Sequence, residues 1–270
     1  MNLITKFINL IAVPLSLGLS IIYILPRVGI AESPRRLQNW QISQKFIPPN
    51  RQAPRTTAGG GSRGDSCDLA SNETLQPLIP QNKLGLTLAE RPTLYWFVPQ
   101  ISVPTAHFSI LDDKGIVYAT TVKLPNKPGI IGFTLPSNAP SLKVGKQYHW
   151  YFAIACNPEE PEKEMTVDGW IERIQTTSAL SQQLARTNPQ QLSQVYANAG
   201  IWHEALHTLV KQRLANPNDR QSPAVGDLTV TANWQVLLES VGLKNLVSQP
   251  LINKYRENTQ PPQHRHRCKP

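Results

Sequence analysis

Residues 147–156 read Gln147-Tyr148-His149-Trp150-Tyr151-Phe152-Ala153-Ile154-Ala155-Cys156. Large side chains recur at every second position from Tyr148. Successive side chains of a β-strand point to opposite faces of the sheet, so this run predicts a strand with one apolar face. Six further β-rich runs, separated by turn residues, surround it at intervals of about 10 to 15 residues. The seven predicted strands are 84–90, 93–98, 105–111, 116–122, 130–135, 147–156 and 166–175. Their number and spacing predict an antiparallel β-sandwich.

The hydrophobic period changes to that of a helix from Ser178 onward. Apolar residues then recur at spacings of three and four, and Asn188-Pro189 supplies a helix cap followed by proline at the first helical position. Residues 196–219 resemble the second half of a tetratricopeptide repeat, which cannot bury its apolar face alone. Two further helices, predicted at 230–240 and 243–255, would cover that face. We therefore expect an α+β protein in which an N-terminal sandwich precedes a small all-α helical cap.

Composition divides the 270 residues into five segments. These are a signal peptide or membrane anchor (1–31), a linker rich in Pro, Gly and Arg (32–66), the β-sandwich domain (67–176), a tetratricopeptide-like helical domain (177–255) and a basic tail expected to be disordered (256–270). The first segment has a basic start, an uncharged apolar run and small residues before a cleavage position after Ala31, which is the order of a secretory signal peptide. We expect export to the periplasm or the extracellular space. The alternative is an uncleaved N-terminal helix that anchors the protein in the membrane.

The formal charge of +9 is concentrated outside the body of the chain. Residues 65–255 carry 15 Lys and Arg against 16 Asp and Glu, a net charge of −1. A neutral body lacks the positive surface that nucleic acid requires, so we expect no nucleic-acid partner. The basic linker and tail either contact an anionic membrane surface or act only as solvated segments.

The chain has three cysteines, Cys67, Cys156 and Cys268, so one of them cannot pair within the chain. Because Cys268 lies in the Pro-, His- and Arg-rich tail, we expect a disulfide between Cys67 and Cys156 in an oxidising compartment. Closing a loop of this length would stabilise the fold by about 4–5 kcal/mol in the chain-entropy model. The alternative is a catalytic thiol, which needs a neighbouring base, and no Cys/His arrangement in the sequence indicates one.

The segment His203-Glu204-Ala205-Leu206-His207 matches the His-Glu-x-x-His pattern of zinc proteases. In that pattern two histidines on one helix face, here His203 and His207, bind zinc, while the glutamate, here Glu204, polarises the bound water. The glycine and third histidine that continue the motif in one large class of these enzymes are missing, and no strand pattern precedes the segment. We therefore expect a packing helix, with no metal and no cofactor. The alternative is a zinc-dependent hydrolase that uses these three residues.

Aromatic residues on two predicted strands are candidates for an interaction surface. Because consecutive residues of a strand point to opposite faces, half of the aromatic residues at 95–97 and 150–152 belong to the core and half to the opposite surface. We expect Tyr95, Phe97 and Tyr151 to form an outer surface patch that contacts a partner.

Two local patterns resemble those of fibronectin type III-like sandwiches, a class of binding and spacer modules. The first is a strand opened by Pro92-Thr93-Leu94-Tyr95-Trp96 and followed by a partner strand at residues 106–110. The second is a turn at residues 142–145 that leads into the alternating large residues of 148–152. The resemblance implies a module that binds or spaces rather than one that catalyses.

The span from Cys67 to about Tyr255 resembles a cyanobacterial family catalogued as domain of unknown function 928. The motifs that carry the resemblance are Arg91-Pro92-Thr93-Leu94-Tyr95-Trp96-Phe97-Val98-Pro99, Gly145-Lys146-Gln147-Tyr148-His149-Trp150-Tyr151-Phe152, Ile154-Ala155-Cys156-Asn157-Pro158, Gly169-Trp170-Ile171-Glu172-Arg173, and Trp234 with Val241-Gly242-Leu243. The family implies an exported protein of cyanobacteria and brings no established activity or catalytic residue. We therefore expect a non-catalytic cell-envelope protein, an interaction module that binds another envelope protein or a wall polymer.

Overall fold

The computed structural model describes residues 45–51, 53–54, 73–156, 164–215 and 230–252, all within one compact unit. The predicted leader, Cys67 of the predicted disulfide and the predicted tail lie outside these ranges. The α+β class is confirmed: two sheets precede a helical region. None of the helices in the described ranges has the length and apolar character needed to cross a bilayer.

Eight strands are arranged in two sheets. They are β1 (Gln76–Pro77), β2 (Leu84–Thr87), β3 (Thr93–Val98), β4 (Thr105–Asp112), β5 (Gly115–Lys123), β6 (Gly129–Thr134), β7 (Gln147–Ala155) and β8 (Glu164–Arg173). One sheet has the order β1-β3-β6, and the other has the order β2-β8-β7-β4-β5. All seven predicted strands are present, and the short β1 is an addition to them.

The prediction of a purely antiparallel sandwich is wrong at one edge. β2 pairs with β8 in parallel, with Leu84 opposite Trp170 and Thr87 opposite Arg173. The backbone N–H of Trp170 donates to the carbonyl of Lys83 at 2.7 Å, next to the first pair of this ladder. Parallel pairing needs a long connection, and here most of the sandwich separates the two strands in sequence.

The core between the sheets is built on alternate residues of β3 and β7. Leu94, Trp96 and Val98 of β3 point into this space. The Trp96 ring stacks on Phe152 at 4.3 Å between centroids and meets Trp150 edge-on at 5.7 Å. All these side chains are buried, and aromatic pairs of this kind add about 0.5–1.5 kcal/mol each beyond the area they bury. The alternation that predicted these strands is therefore the alternation that fills the core.

The helical region comprises α1 (Ser178–Arg186), α2 (Leu192–Asn198), α3 (Trp202–Ala215) and α4 (Val230–Ser240), with single 3-10 turns at Pro189–Gln191 and Lys244–Leu246. The helix predicted at 230–240 is confirmed as α4. The helix predicted at 243–255 is wrong over its described residues. After the 3-10 turn the chain runs beside β6 instead, where the Ile130 N–H donates to the carbonyl of Pro250 at 2.8 Å. Pro250 cannot donate the backbone hydrogen bond that a continuing helix would need.

The helices cover the outer face of the three-stranded sheet. Tyr95 and Phe97 of β3 and Ile130 of β6 pack there against residues such as Trp202 and Trp234, in a second apolar core. Tyr95 is 7% exposed and Phe97 is 2% exposed. This placement corrects the expectation that these two residues form an outer surface patch: they do lie on the face opposite Trp96, but the chain's own helices cover that face.

Part of the predicted linker is folded onto this helical layer. We call residues 45–51 and 53–54 the strap. Phe46, 2% exposed, meets the Trp202 ring edge-on at 5.1 Å. Its backbone N–H donates to Ser240 Oγ at 3.0 Å, and the Ile47 N–H donates to the Ala197 carbonyl at 3.1 Å. This Pro-rich run of the predicted linker therefore has an apolar side chain buried in the helical layer, whereas the glycine run at residues 59–64 lies outside the described residues.

We predict that Phe46→Ala lowers the free energy of unfolding by about 3–5 kcal/mol, the usual cost of removing a fully buried phenylalanine side chain. The matched control is Ile47→Ala, because Ile47 is adjacent in the strap but 53% exposed. Its cost should stay below about 1 kcal/mol. Urea denaturation of the full chain measures both values, and equal small losses would contradict the docking of the strap.

Candidate functional site

The segment His203-Glu204-Ala205-Leu206-His207 lies in the first turns of α3, against the edge of the sandwich. His203 is buried, and its Nδ1 lies 3.3 Å from the carbonyl of Thr93, so this nitrogen is the protonated donor. Its ring packs onto Gly85 of β2, where a Cβ would collide with Nε2. Glycine at position 85 therefore permits the close approach of helix and strand.

Glu204 binds the backbone that follows β2. Its Oε1 accepts hydrogen bonds from Thr87 Oγ1 at 2.7 Å, from the Leu88 N–H at 2.9 Å and from the Ala89 N–H at 3.0 Å. Burial raises the pKa of the Glu204 carboxyl, although these hydrogen bonds act in the opposite direction. The side chain thus satisfies the Leu88 N–H, and it shares the Ala89 N–H with Thr87 Oγ1, which lies 3.0 Å from that nitrogen.

His207 completes the contact with β3. Its Nδ1 lies 2.6 Å from the Tyr95 hydroxyl. Burial raises the pKa of the Tyr95 hydroxyl well above its usual value, so the phenol stays protonated and donates to His207. Burial, and to a lesser extent the charge of Lys211, lower the pKa of His207.

The three residues therefore contact three different parts of the sandwich. A zinc-protease helix aims both imidazoles at one metal ion and the carboxylate at its water. Here His203 faces Thr93 and Gly85, Glu204 faces backbone amides, and His207 faces a phenol. Within the described ranges, no group of three or more His, Cys, Asp and Glu residues is arranged to hold a metal ion. This geometry favours the interpretation of a packing helix.

A second group of polar side chains lies on the outer face of the five-stranded sheet. Lys83 Nζ contacts Asp168 Oδ1 at 2.8 Å, Asp168 Oδ2 contacts His149 Nε2 at 2.7 Å, and His149 Nδ1 contacts the Tyr151 hydroxyl at 2.9 Å. We call these four residues the polar chain. The sheet register produces it, because His149 pairs with Trp170 and Tyr151 pairs with Asp168 on β8.

The charges of the polar chain fix its proton positions. Burial acts to raise the pKa of Asp168, but the hydrogen bonds from Lys83 and His149 outweigh it and leave that pKa below its usual value. An ionised Asp168 accepts the proton on His149 Nε2, so His149 Nδ1 accepts from Tyr151. Burial, followed by the negative charge of Asp168, raises the pKa of the Tyr151 phenol, which therefore remains a neutral donor. The polar chain therefore holds His149 and the neutral Tyr151 hydroxyl in fixed orientations.

Trp170 lies beside the polar chain. Its ring stacks on His149 at 4.4 Å between centroids with an interplanar angle of 8°. The indole N–H has no hydrogen-bond partner among the described residues, whereas His149 uses both ring nitrogens. An aromatic plane held in a fixed orientation and carrying a free donor is suited to contact a ligand.

Two open clefts flank the polar chain. The larger, of about 640 Å³, is lined by residues of the β4–β5 turn, the start of β7, Trp170 and the strap: Pro54, Leu111, Asp112, Asp113, Gly145, Lys146, Gln147, His149 and Trp170. The smaller, of about 300 Å³, contains Lys83 and Asp168 in its lining. Both volumes lie at or within the range of small-molecule sites, about 300–1,000 Å³. We call the larger one the Trp170 cleft.

The strap closes one side of this region. Arg51 forms an ion pair with the buried carboxylate of Glu172, and Gln147 Nε2 donates to the other oxygen of that carboxylate at 3.0 Å. Pro54 then lines the Trp170 cleft. The strap is thus joined to both the helical layer and the outer face of the five-stranded sheet.

The structure brings together only part of the predicted sites. Tyr151 belongs to the polar chain, whereas Tyr95 and Phe97 lie under the helices, and Cys156 ends up just after β7. Sequence reasoning missed Lys83, Asp168 and Trp170. Polar and aromatic residues do alternate along 147–151 and 166–172, which indicates a strand face in contact with water. The register that places them opposite each other is not visible in either strand alone.

A family model described as Domain of Unknown Function (DUF928) matches residues 58–251. The matched range contains all eight strands and four helices of the described structure, but not the strap. Neither curated proteins nor solved structures gave a match.

We predict that Glu204→Gln keeps the free energy of unfolding within about 1 kcal/mol of the wild-type value, because an amide oxygen accepts the same three hydrogen bonds. Glu204→Ala removes all three hydrogen bonds, leaves the Leu88 N–H unpaired and should cost about 2–4 kcal/mol. Chemical denaturation measures both variants. Equal losses in the two variants would contradict the role of Glu204 as the acceptor for the chain after β2.

Stability should also depend on pH through His203. Burial lowers the pKa of His203 from 6.5 to about 4, so between these values the unfolded state binds more protons and stability falls as the pH falls. The lowered pKa of His207 acts in the same direction, and the raised pKa of Glu204 acts against it. His203→Asn keeps a donor for the Thr93 carbonyl but does not titrate. Across this window the wild-type protein should therefore lose up to about 3 kcal/mol more than the variant. Parallel stability profiles of the two proteins would refute this assignment.

Proposed function

This chain belongs to the family described as Domain of Unknown Function (DUF928), and we propose that it is an exported, non-catalytic protein of the cyanobacterial cell envelope. In this proposal it is an interaction module that binds a ligand in the Trp170 cleft. The leader predicted at 1–31 delivers it across the cytoplasmic membrane, and a disulfide between Cys67 and Cys156 stabilises the sandwich after export.

The proposal of a binding role rests on one observation. The free indole N–H of Trp170 lies beside a polar chain whose members already form hydrogen bonds with one another. Such a site is organised before the ligand arrives, so binding does not have to order Trp170 or His149. Its position on the outer face of a sheet leaves it open to large ligands. This supports a binding module better than a closed catalytic pocket.

Two features of the polar groups support a non-catalytic role. The residues of the zinc-protease pattern bind backbone and phenol groups of their own chain. In the polar chain the terminal group is the Tyr151 phenol, whose pKa is raised rather than lowered, and a nucleophile or base would need the opposite shift.

The partner is a component of the envelope, either another protein or a wall polymer. The charged groups near the cleft favour neither nucleic acid nor an anionic membrane, because Lys83 and Lys146 each form an ion pair with an aspartate. The basic linker and tail, rather than the cleft, are the candidates for contact with an anionic membrane surface.

We predict that the purified full chain co-sediments with an isolated envelope fraction and that Trp170→Leu abolishes at least about nine-tenths of this binding, as expected for a central aromatic contact. His107→Ala is the matched control, because His107 is exposed on the same outer face but lies two strands from β8 and outside the cleft. Thermal unfolding confirms that each variant is folded. Equal binding by Trp170→Leu and wild type would refute the cleft as the site.

A further inference from the structure

The Trp170 cleft provides an apolar stacking surface of fixed orientation. His149 covers the indole from one side, and the hydrogen bonds from His149 to Asp168 and Tyr151 hold the imidazole in place. The C–H groups of a sugar ring form a flat apolar surface that packs on such a ring, while the hydroxyl groups point outward from its rim. The free indole N–H lies in position to donate to one of those hydroxyls.

The rim of the cleft carries both acceptors and donors. Asp113 is an exposed carboxylate, and Asp112 lies next to it. Lys146 contacts Asp112 Oδ2 at 2.7 Å and Asp113 Oδ1 at 2.6 Å, while Gln147 gives its amide N–H to Glu172 and keeps its amide oxygen free. A hydroxyl both donates and accepts, so a ligand rich in hydroxyls matches this mixture better than a ligand that only donates or only accepts.

The charge of the site argues against anionic ligands. Asp112, Asp113 and Lys146 together carry a net charge of −1. The hydrogen bonds with Lys146 lower the pKa values of both carboxyls, so the two aspartates stay ionised. Arg51 is paired with Glu172. No unpaired cation lines the cleft among the described residues, so a phosphate or an acidic polymer would meet net negative charge.

The surface beyond the cleft is suited to a chain rather than a single small molecule. By register, Ser109 of β4 lies beside Tyr151 on the same outer face as His149. Because the Ser109 side chain is small, a ligand that starts on Trp170 can continue along β7 as far as Tyr151, short of His107. The cleft is open, which permits entry of an internal segment of a polymer.

We infer that the ligand of the Trp170 cleft is a neutral glycan chain of the envelope, stacked on Trp170 and hydrogen-bonded by Asp113 and Gln147. This inference rests on the proposed function and specifies the chemical class of its ligand. Trp170 is the binding platform, and Asp168 and His149 are positioning residues that act through it.

The test applies two treatments to the envelope fraction before co-sedimentation with the full chain. Periodate cleaves vicinal diols and so opens those sugar rings that carry adjacent free hydroxyls, whereas protease removes proteins and leaves polysaccharide. Binding should survive protease and be lost after periodate. Soluble neutral glucans whose rings carry vicinal diols, dextran and pullulan, should compete for binding, and polygalacturonate, an acidic glycan, should not.

Variants then connect the glycan to the cleft. Trp170→Leu should weaken binding to the competing glucan by at least about tenfold, Trp170→Phe by less because it keeps an aromatic plane, and Asp113→Ala by about three- to tenfold. His107→Ala should bind as the wild type does. Loss of binding in His149→Gln with an unchanged fold would show the positioning role, because the indole would lose its stacking partner.

The outcomes separate this inference from the proposed function. Binding that is lost after protease but survives periodate would overturn the glycan and leave a protein ligand at the same cleft. Competition by polygalacturonate alone would overturn the assignment of a neutral ligand. Absence of any binding to the envelope would overturn the proposed function together with the inference.

Discussion

The strand β3 is apolar on both of its faces, and this constraint determines the arrangement of the whole unit. Trp96 fills the space between the two sheets, while Tyr95 and Phe97 point away from it and must be covered. The helical layer provides that cover, and α3 supplies the polar contacts that dock it. His203 and Glu204 reach the backbone of the sandwich, so the layer is joined to the sheet by hydrogen bonds as well as by apolar burial.

Because the helices cover the three-stranded sheet, the proposed binding function falls to the outer face of the five-stranded sheet. The five-stranded sheet carries alternating polar residues on that face, and its central strands bring His149, Asp168 and Trp170 together. The strap contacts both the helical layer and the five-stranded sheet: Phe46 is buried in the helical layer, and Arg51 pairs with Glu172 at the edge of the polar face. In the proposed function, stability and binding thus use opposite sides of the same sandwich, so that substitutions at the Trp170 cleft should leave the core intact.

The sequence predicts those parts of the fold that local periodicity encodes. Seven strands and the helix at 230–240 follow from alternation and from helical spacing, and helical spacing also places residues 203–207 in a helix. The continuous apolar run of β3 also indicates burial on both faces, although alternation alone places Tyr95 on a free surface. Long-range pairing is not encoded locally: the parallel β2–β8 pair, the path of the chain after Leu246 and the docking of Phe46 each depend on a partner that is distant in sequence. The polar chain also depends on residues that are distant in sequence, since Lys83 and Asp168 are 85 positions apart.

Native-state hydrogen exchange of the full chain measures the central claim most directly, namely that sandwich and helical layer form one cooperative unit built on β3. If the sandwich cannot stay folded without the helices, the slowest-exchanging amides of α3 and of β7 exchange through the same global unfolding event. Their free energies of opening should then agree within about 1 kcal/mol. Opening of α3 at a much lower free energy, while β3 and β7 keep their protection, would contradict the account, because the outer face of β3 would then tolerate exposure to water.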